Sequence, residues 1–108
     1  HGFFKEQVVL AKEGSTKLSL KKLVPVRLIR NKFLDEVEKW ENEGAGIEKF
    51  QELLGHGRSK LGMFEGDIEE GELEIGQVSG MINEIKTAAQ IIEEIIEEFE
   101  KTKLKLKN

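Results

Sequence analysis

Between Gly55 and Gly80 glycine recurs seven times, at 55, 57, 62, 66, 71, 76 and 80. Each glycine inside a helix or strand costs roughly 0.5–1 kcal/mol relative to alanine. Such a density weakens regular structure there and is uncommon for a segment that serves packing alone. Regular structure is therefore expected from the flanks.

On the N-terminal side, Phe4, Val8 and Ala11 fall one helical turn apart, with Phe3 and Leu10 widening the apolar surface. Gly14-Ser15 is expected to end this helix. Thr16-Lys-Leu-Ser-Leu20 alternates with the strand period of two, and Pro25-Val-Arg-Leu-Ile29 resumes a β-favouring pattern. Residues 16–30 thus read as two short antiparallel strands, with Pro25 opening the second or lying on an edge. Asn31 is placed to cap a helix carrying Phe33, Val37 and Trp40, with Asp35 and Glu36 in its first turn. Gly44-Ala-Gly46 breaks that helix. Ile47, Phe50 and Leu54 mark another, ended by Gly55-His-Gly57.

On the C-terminal side, Ala88, Ile91, Ile92, Ile95, Ile96 and Phe99 fall within an arc of about 140° at the helical period. Glu93, Glu94, Glu97, Glu98 and Glu100 take the opposite side. A helix of this kind usually docks on its own protein, and its acidic polar face argues against a membrane surface. The stripe stops after Thr102, where fraying is expected.

The chain has 108 residues, one domain's worth, of which 38% are hydrophobic. No apolar run approaches the ~18 residues of a membrane span. There is no cysteine, which removes disulfides, thiolate metal sites and cysteine nucleophiles. A cytoplasmic location is the expectation. The net charge of −4 conceals an asymmetry: residues 1–33 hold eight Lys/Arg against two Glu, and residues 34–100 hold five against nineteen acidic residues. The plainer reading of that asymmetry is that the two segments face each other; the other is attraction of a phosphate-bearing partner. Nucleic acid is not an expected partner, because the basic residues lack an aromatic stacking surface.

Chemistry-bearing residues are few. His1 and His56 are the only histidines, and His56 between two glycines reads as a solvated loop residue more readily than as a functional one. The glycines match no nucleotide fingerprint, since Gly55-His-Gly57 lacks a third glycine and no Gly-Lys-Ser/Thr follows. No carboxylate pair stands out as an acid–base couple. The most informative stretch is Glu65-Gly-Asp67 followed by Gly71-Glu-Leu-Glu-Ile-Gly76-Gln77-Val-Ser-Gly80. Gly76 and Gly80 share a face if the segment is helical, and bare backbone there admits either a flat ring or a neighbouring helix. Gln77 can both donate and accept hydrogen bonds, which suits the edge of a heterocycle. Tight packing with Gln77 exposed is the equal alternative.

Pro25-Val-Arg-Leu-Ile-Arg-Asn31, Glu65-Gly-Asp67 and Gly71-x4-Gly76-Gln77-x2-Gly80-x-Ile82 occur in this order. In order and spacing the chain resembles the C-terminal third of the FMN-dependent enoyl-acyl carrier protein reductase II and nitronate monooxygenase (2-nitropropane dioxygenase) family. The resemblance runs from His1-x-x-Phe4-Lys5-Glu6 to the terminal helix. It implies a mainly α chain with a short antiparallel strand pair, the C-terminal part and helical extension of a TIM-type (β/α)8 flavin barrel. Such a barrel needs about 250 residues. Residues 1–32 then correspond to the final barrel helix and strand pair. Residues 33–108 correspond to a helical extension, with a glycine-rich flavin-proximal segment at 62–82. The barrel portion that carries the flavin phosphate loops and active-site histidine would precede His1.

By the same resemblance Gly76, Gln77 and, more weakly, Met81 are flavin-proximal, while Arg27 and Asn31 are structural. The family commonly has Gly-His before Pro-Val-Arg, where this chain has Leu23-Val24, so a polar loop is lost. The implied activity is NAD(P)H-dependent reduction of an enoyl thioester on acyl carrier protein through FMN, with no catalysis by these residues alone. Nitronate oxidation is the alternative within the family. A stand-alone helical module that forms homo-oligomers through the Ile91–Phe99 face is the alternative outside it.

Overall fold

The computed structural model describes residues 1–107. Helix α1 covers Gly2–Leu10, strands β1 and β2 cover Thr16–Ser19 and Val26–Ile29, and helices α2 and α3 cover Lys32–Asn42 and Ile47–Leu54. A π-helical turn at Lys60–Phe64 and a 3-10 turn at Gln77–Met81 interrupt the glycine-rich stretch, and helix α4 runs Ala88–Leu106. The chain is mainly helical with one two-stranded sheet, as expected.

The strands pair antiparallel with Thr16 opposite Ile29 and Ser19 opposite Val26. Pro25 stands immediately before β2, where its missing N–H leaves the ladder intact. Leu20 is expected in β1 but leaves it with a φ of 56°, the one non-glycine residue in the left-handed region among those described. That conformation costs roughly 1–2 kcal/mol. Two gains offset it: the side chain is buried in the core, and the Leu20 N–H donates to Glu41 Oε1 at 2.9 Å.

The free edge of β2 is not open. Ile29 N–H donates to Leu73 O at 2.9 Å and Ile75 N–H to Arg27 O at 3.0 Å. Residues 73–75 thereby extend the hairpin, with Glu74 bridged to Leu28. The core lies beneath this hairpin, where Leu20, Leu28, Phe33, Leu34, Val37, Phe50 and Leu53 pack together.

Asn31 caps α2 as its type predicts: Leu34 N–H donates to its Oδ1 at 3.0 Å. Its amide also donates to Ile68 O at 2.9 Å and Gly71 O at 2.8 Å, tying the glycine-rich stretch to the start of α2. The charge asymmetry resolves partly by facing. Glu38 of α2 meets Lys17 at 2.6 Å and Arg30 at 2.9 Å, and Lys32 pairs with Glu70.

Helix α4 differs from expectation at its C-terminal end and in the docking of its apolar stripe. It continues past Thr102 to Leu106, because Lys103 and Lys105 in the last turn oppose the negative end of the helix dipole. It begins with a full capping box between Thr87 and Gln90. Its apolar stripe is also not docked on the rest of the chain: Ile95 is 60% and Phe99 62% exposed, and no residue of α4 is buried. No helix of the described residues is long and apolar enough to cross a membrane.

Candidate functional site

The expected site residues share one turn. Gly76 is the N-cap of the 3-10 turn, and Gln77 through Met81 form it. The 3-10 period of three replaces the helical spacing that would stack Gly76 over Gly80, and the two glycines do different work. A Cβ on Gly80 would stand 3.2–3.3 Å from the backbone of Lys12 and Glu13, so Gly80 allows the turn to lie against the exit of α1. A Cβ on Gly76 would meet only Val78 Cγ1, at 4.0 Å. Gly80 is a packing residue. Gly76 leaves bare backbone beside open space.

Gln77, Val78 and Met81 are all exposed on this turn, and Ser79 is buried beneath it. Backbone, amide and apolar surface thus lie together on one short element. That combination fits the edge of a flat heterocycle: a face without a Cβ, a group that donates and accepts, and apolar contacts beside it. Within the described residues these three do not enclose a hollow. Met81 lines a shallow space of about 420 Å3 with Ile82, Lys86 and Ile91, beside α4.

A hollow of about 750 Å3 lies on another side of the chain. Its apolar wall comes from Leu20, Leu23, Val24 and Val26 of the hairpin and Leu54 of α3. The Leu23-Val24 pair is part of that wall. Its polar side carries Ser59, Glu72 and Glu74, with His56 at the exposed rim between Gly55 and Gly57. Both glycines have positive φ, 57° and 82°, which only glycine adopts freely.

Glu72 and Glu74 escape sequence reasoning. The signal was present in the Glu-x-Glu spacing, which places both side chains on one face when the backbone is extended; the glycines on both sides concealed that extension. Ser59 Oγ donates to Glu74 Oε1 at 3.1 Å. Burial, with Glu74 beside it, pushes the Glu72 carboxyl up to about 8. Arg27, expected to be structural, donates from Nη1 to Thr16 Oγ1 at 3.1 Å across the hairpin. No group of three or more potential metal ligands exists among the described residues.

Comparison with known proteins agrees with this architecture. The nitronate monooxygenase family model matches residues 1–98. Among solved structures the chain is similar to FabK from Thermotoga maritima, at 35% identity and a TM-score of 0.84 over 99% of this chain and 34% of that one. A single-residue variant of the same FabK gives 33% identity and a TM-score of 0.80, over 99% of this chain and 31% of that one. No curated protein matches. The chain thus spans about a third of the length of the structures it resembles. With the family model covering nearly all of it, the chain belongs to the nitronate monooxygenase family.

Proposed function

We propose that these residues form the C-terminal wall of the flavin and substrate pocket in an FMN-dependent, NAD(P)H-using enoyl-acyl carrier protein reductase of the cytoplasm. In this reading residues 1–32 supply the last barrel helix and strand pair. Residues 33–108 form the helical extension, whose 62–82 segment reaches back toward the flavin. The observation that carries the reading is the likeness to FabK over 99% of the chain, combined with the exposed Gly76–Gln77 backbone and amide.

Bound flavin supplies the hydride chemistry. The residues of this chain hold its surroundings. Gly76 admits the ring to the backbone, the Gln77 amide orients a heteroatom at the ring edge, and Met81 keeps water from one side. The uncovered stripe of α4 seals against the barrel portion. Residues 1–108 alone are expected not to turn over an enoyl thioester.

The test is Gln77→Ala in a protein that joins the barrel portion to these residues. FMN affinity or NAD(P)H-dependent reduction of an enoyl thioester should fall about tenfold, the worth of one lost hydrogen bond to a ring heteroatom. Unchanged affinity and turnover would remove Gln77 from the site. The same assay with a nitronate substrate separates the reductase from the family's oxidase alternative.

The bare stripe of α4 favours a second reading, a helical module that pairs with its own copy. A strict monomer by light scattering over a range of concentrations removes it.

A further inference from the structure

Residues 72–75 bring two carboxylates onto one face of an extended backbone. Glu72 and Glu74 both line the 750 Å3 hollow, and Glu72 is only 3% exposed. The backbone holds them in place. Glu72 N–H donates to Arg58 O at 3.0 Å, and the bonds from Ile29 to Leu73 and from Ile75 to Arg27 fix the residues around it. Behind them Gly71 lies directly against Gly62, so the segment cannot retreat without breaking that contact. A buried carboxyl, Glu72, is thereby held on the same face as an exposed one, Glu74.

The neighbouring charges do not relieve the pair. Arg58 is turned toward Glu70, donating to its carbonyl at 2.7 Å and approaching its carboxylate at 3.8 Å. Lys60 faces Glu65 at 3.8 Å, and His56 lies at the exposed rim. Ser59 gives its hydroxyl to Glu74 and is the one neighbour that pulls Glu72 down, against the larger effect of burial. The parts of the hairpin and α3 that line the hollow carry no charge.

We propose that Glu72 and Glu74 form a proton-operated latch: one proton shared between them closes residues 72–75 onto β2, and its loss to water loosens that segment and the Gly76–Gln77 turn it leads into. This goes beyond the flavin reading and does not depend on it. The direction follows from linkage. Glu72 has a raised value of about 8 in the closed state, against an ordinary 4.5 when the segment is free. The closed state therefore binds more protons between those values, so closure weakens as pH rises from about 4.5 to about 8 and is constant outside that window.

Amide hydrogen exchange on the 108-residue chain reads the latch at the Ile29 and Ile75 N–H groups, after correction for intrinsic base catalysis. Protection is expected to fall by up to about tenfold per pH unit across the window and to stay flat in Glu72→Gln, which cannot lose a proton. The Glu72 carboxyl carbon, followed by NMR in the unsubstituted chain, should titrate well above the ordinary carboxylate range. That second measurement decides the matter if the variant does not fold. Equal slopes in the two proteins, or a Glu72 carboxyl that titrates near 4.5, overturn the proposal. So does a lack of protection at both amides at every pH, because the segment would then be unpaired. No flavin is present in this experiment, so its failure leaves the flavin reading standing, and the reverse.

Discussion

Glu38 shows how single residues settle the charge imbalance of this chain. It meets Lys17 at 2.6 Å and accepts from both terminal nitrogens of Arg30, at 2.9 and 3.0 Å. Arg30 first, then Lys17, holds its carboxyl down at about 2. A depressed carboxylate contributes stability that is present above the ordinary value of 4.5 and is lost as pH falls through about 2. With Arg30 half exposed, solvent screening limits the contribution to about 1 kcal/mol. Glu38→Gln should therefore flatten the acid limb of a pH–stability curve below pH 4.5, while an unchanged acid limb contradicts this assignment.

Gly71 acts by contact. A side chain there would strike the backbone of Gly62 and the carbonyl of Asp67. Gly71→Ala should destabilise by about 1–3 kcal/mol in urea unfolding, and a neutral result would mean the two backbones do not touch. Such residues were only partly legible. The Asn31 cap was legible because an N-cap depends on local spacing alone. The Gly62–Gly71 contact was not, since it depends on where a loop returns to the hairpin, and the local Glu72–Glu74 spacing was masked by the glycines on either side.

At the scale of elements, periodicity was a good guide wherever one face is buried. The core members Phe33 and Val37 on α2 and Phe50 on α3 were legible from the helical period. Phe33 is fully buried, with the Arg58 guanidinium 5.0 Å from its ring. Phe33→Ala should cost about 3–5 kcal/mol, seen as a large drop in the thermal midpoint. A loss under 1 kcal/mol would mean α2 does not anchor the core. Periodicity failed at Leu20, where core burial and the bond to Glu41 override the strand pattern. It failed again at residues 73–75, whose pairing to β2 is set by tertiary contact. In the turn at Gln77–Met81 the dense glycines signalled irregular structure correctly. Their spacing suggested a shared helical face, but the 3-10 geometry divides Gly76 from Gly80.

The whole molecule is elongated, 55 × 29 × 20 Å with a radius of gyration of 17.2 Å, where a compact chain of this length measures about 13 Å. Helix α4 is about 28 Å long at 1.5 Å per residue, and its apolar stripe stays uncovered. Its amphipathic pattern was fully legible, but its expected docking has no partner within these residues. Under the proposed function the barrel portion covers it. Ile95→Glu should then release the chain from that portion by burying an unpaired charge, detectable as loss of co-purification. Retained co-purification would place the stripe outside the contact.

The central claim is that the Gly76–Met81 turn faces bound flavin in a larger enzyme. Amide hydrogen exchange across that turn, with and without FMN, in a protein containing both the barrel portion and these residues tests it most directly. The account predicts slower exchange at Gln77 and its neighbours when FMN is added. Unchanged exchange there, with FMN demonstrably bound, would contradict it.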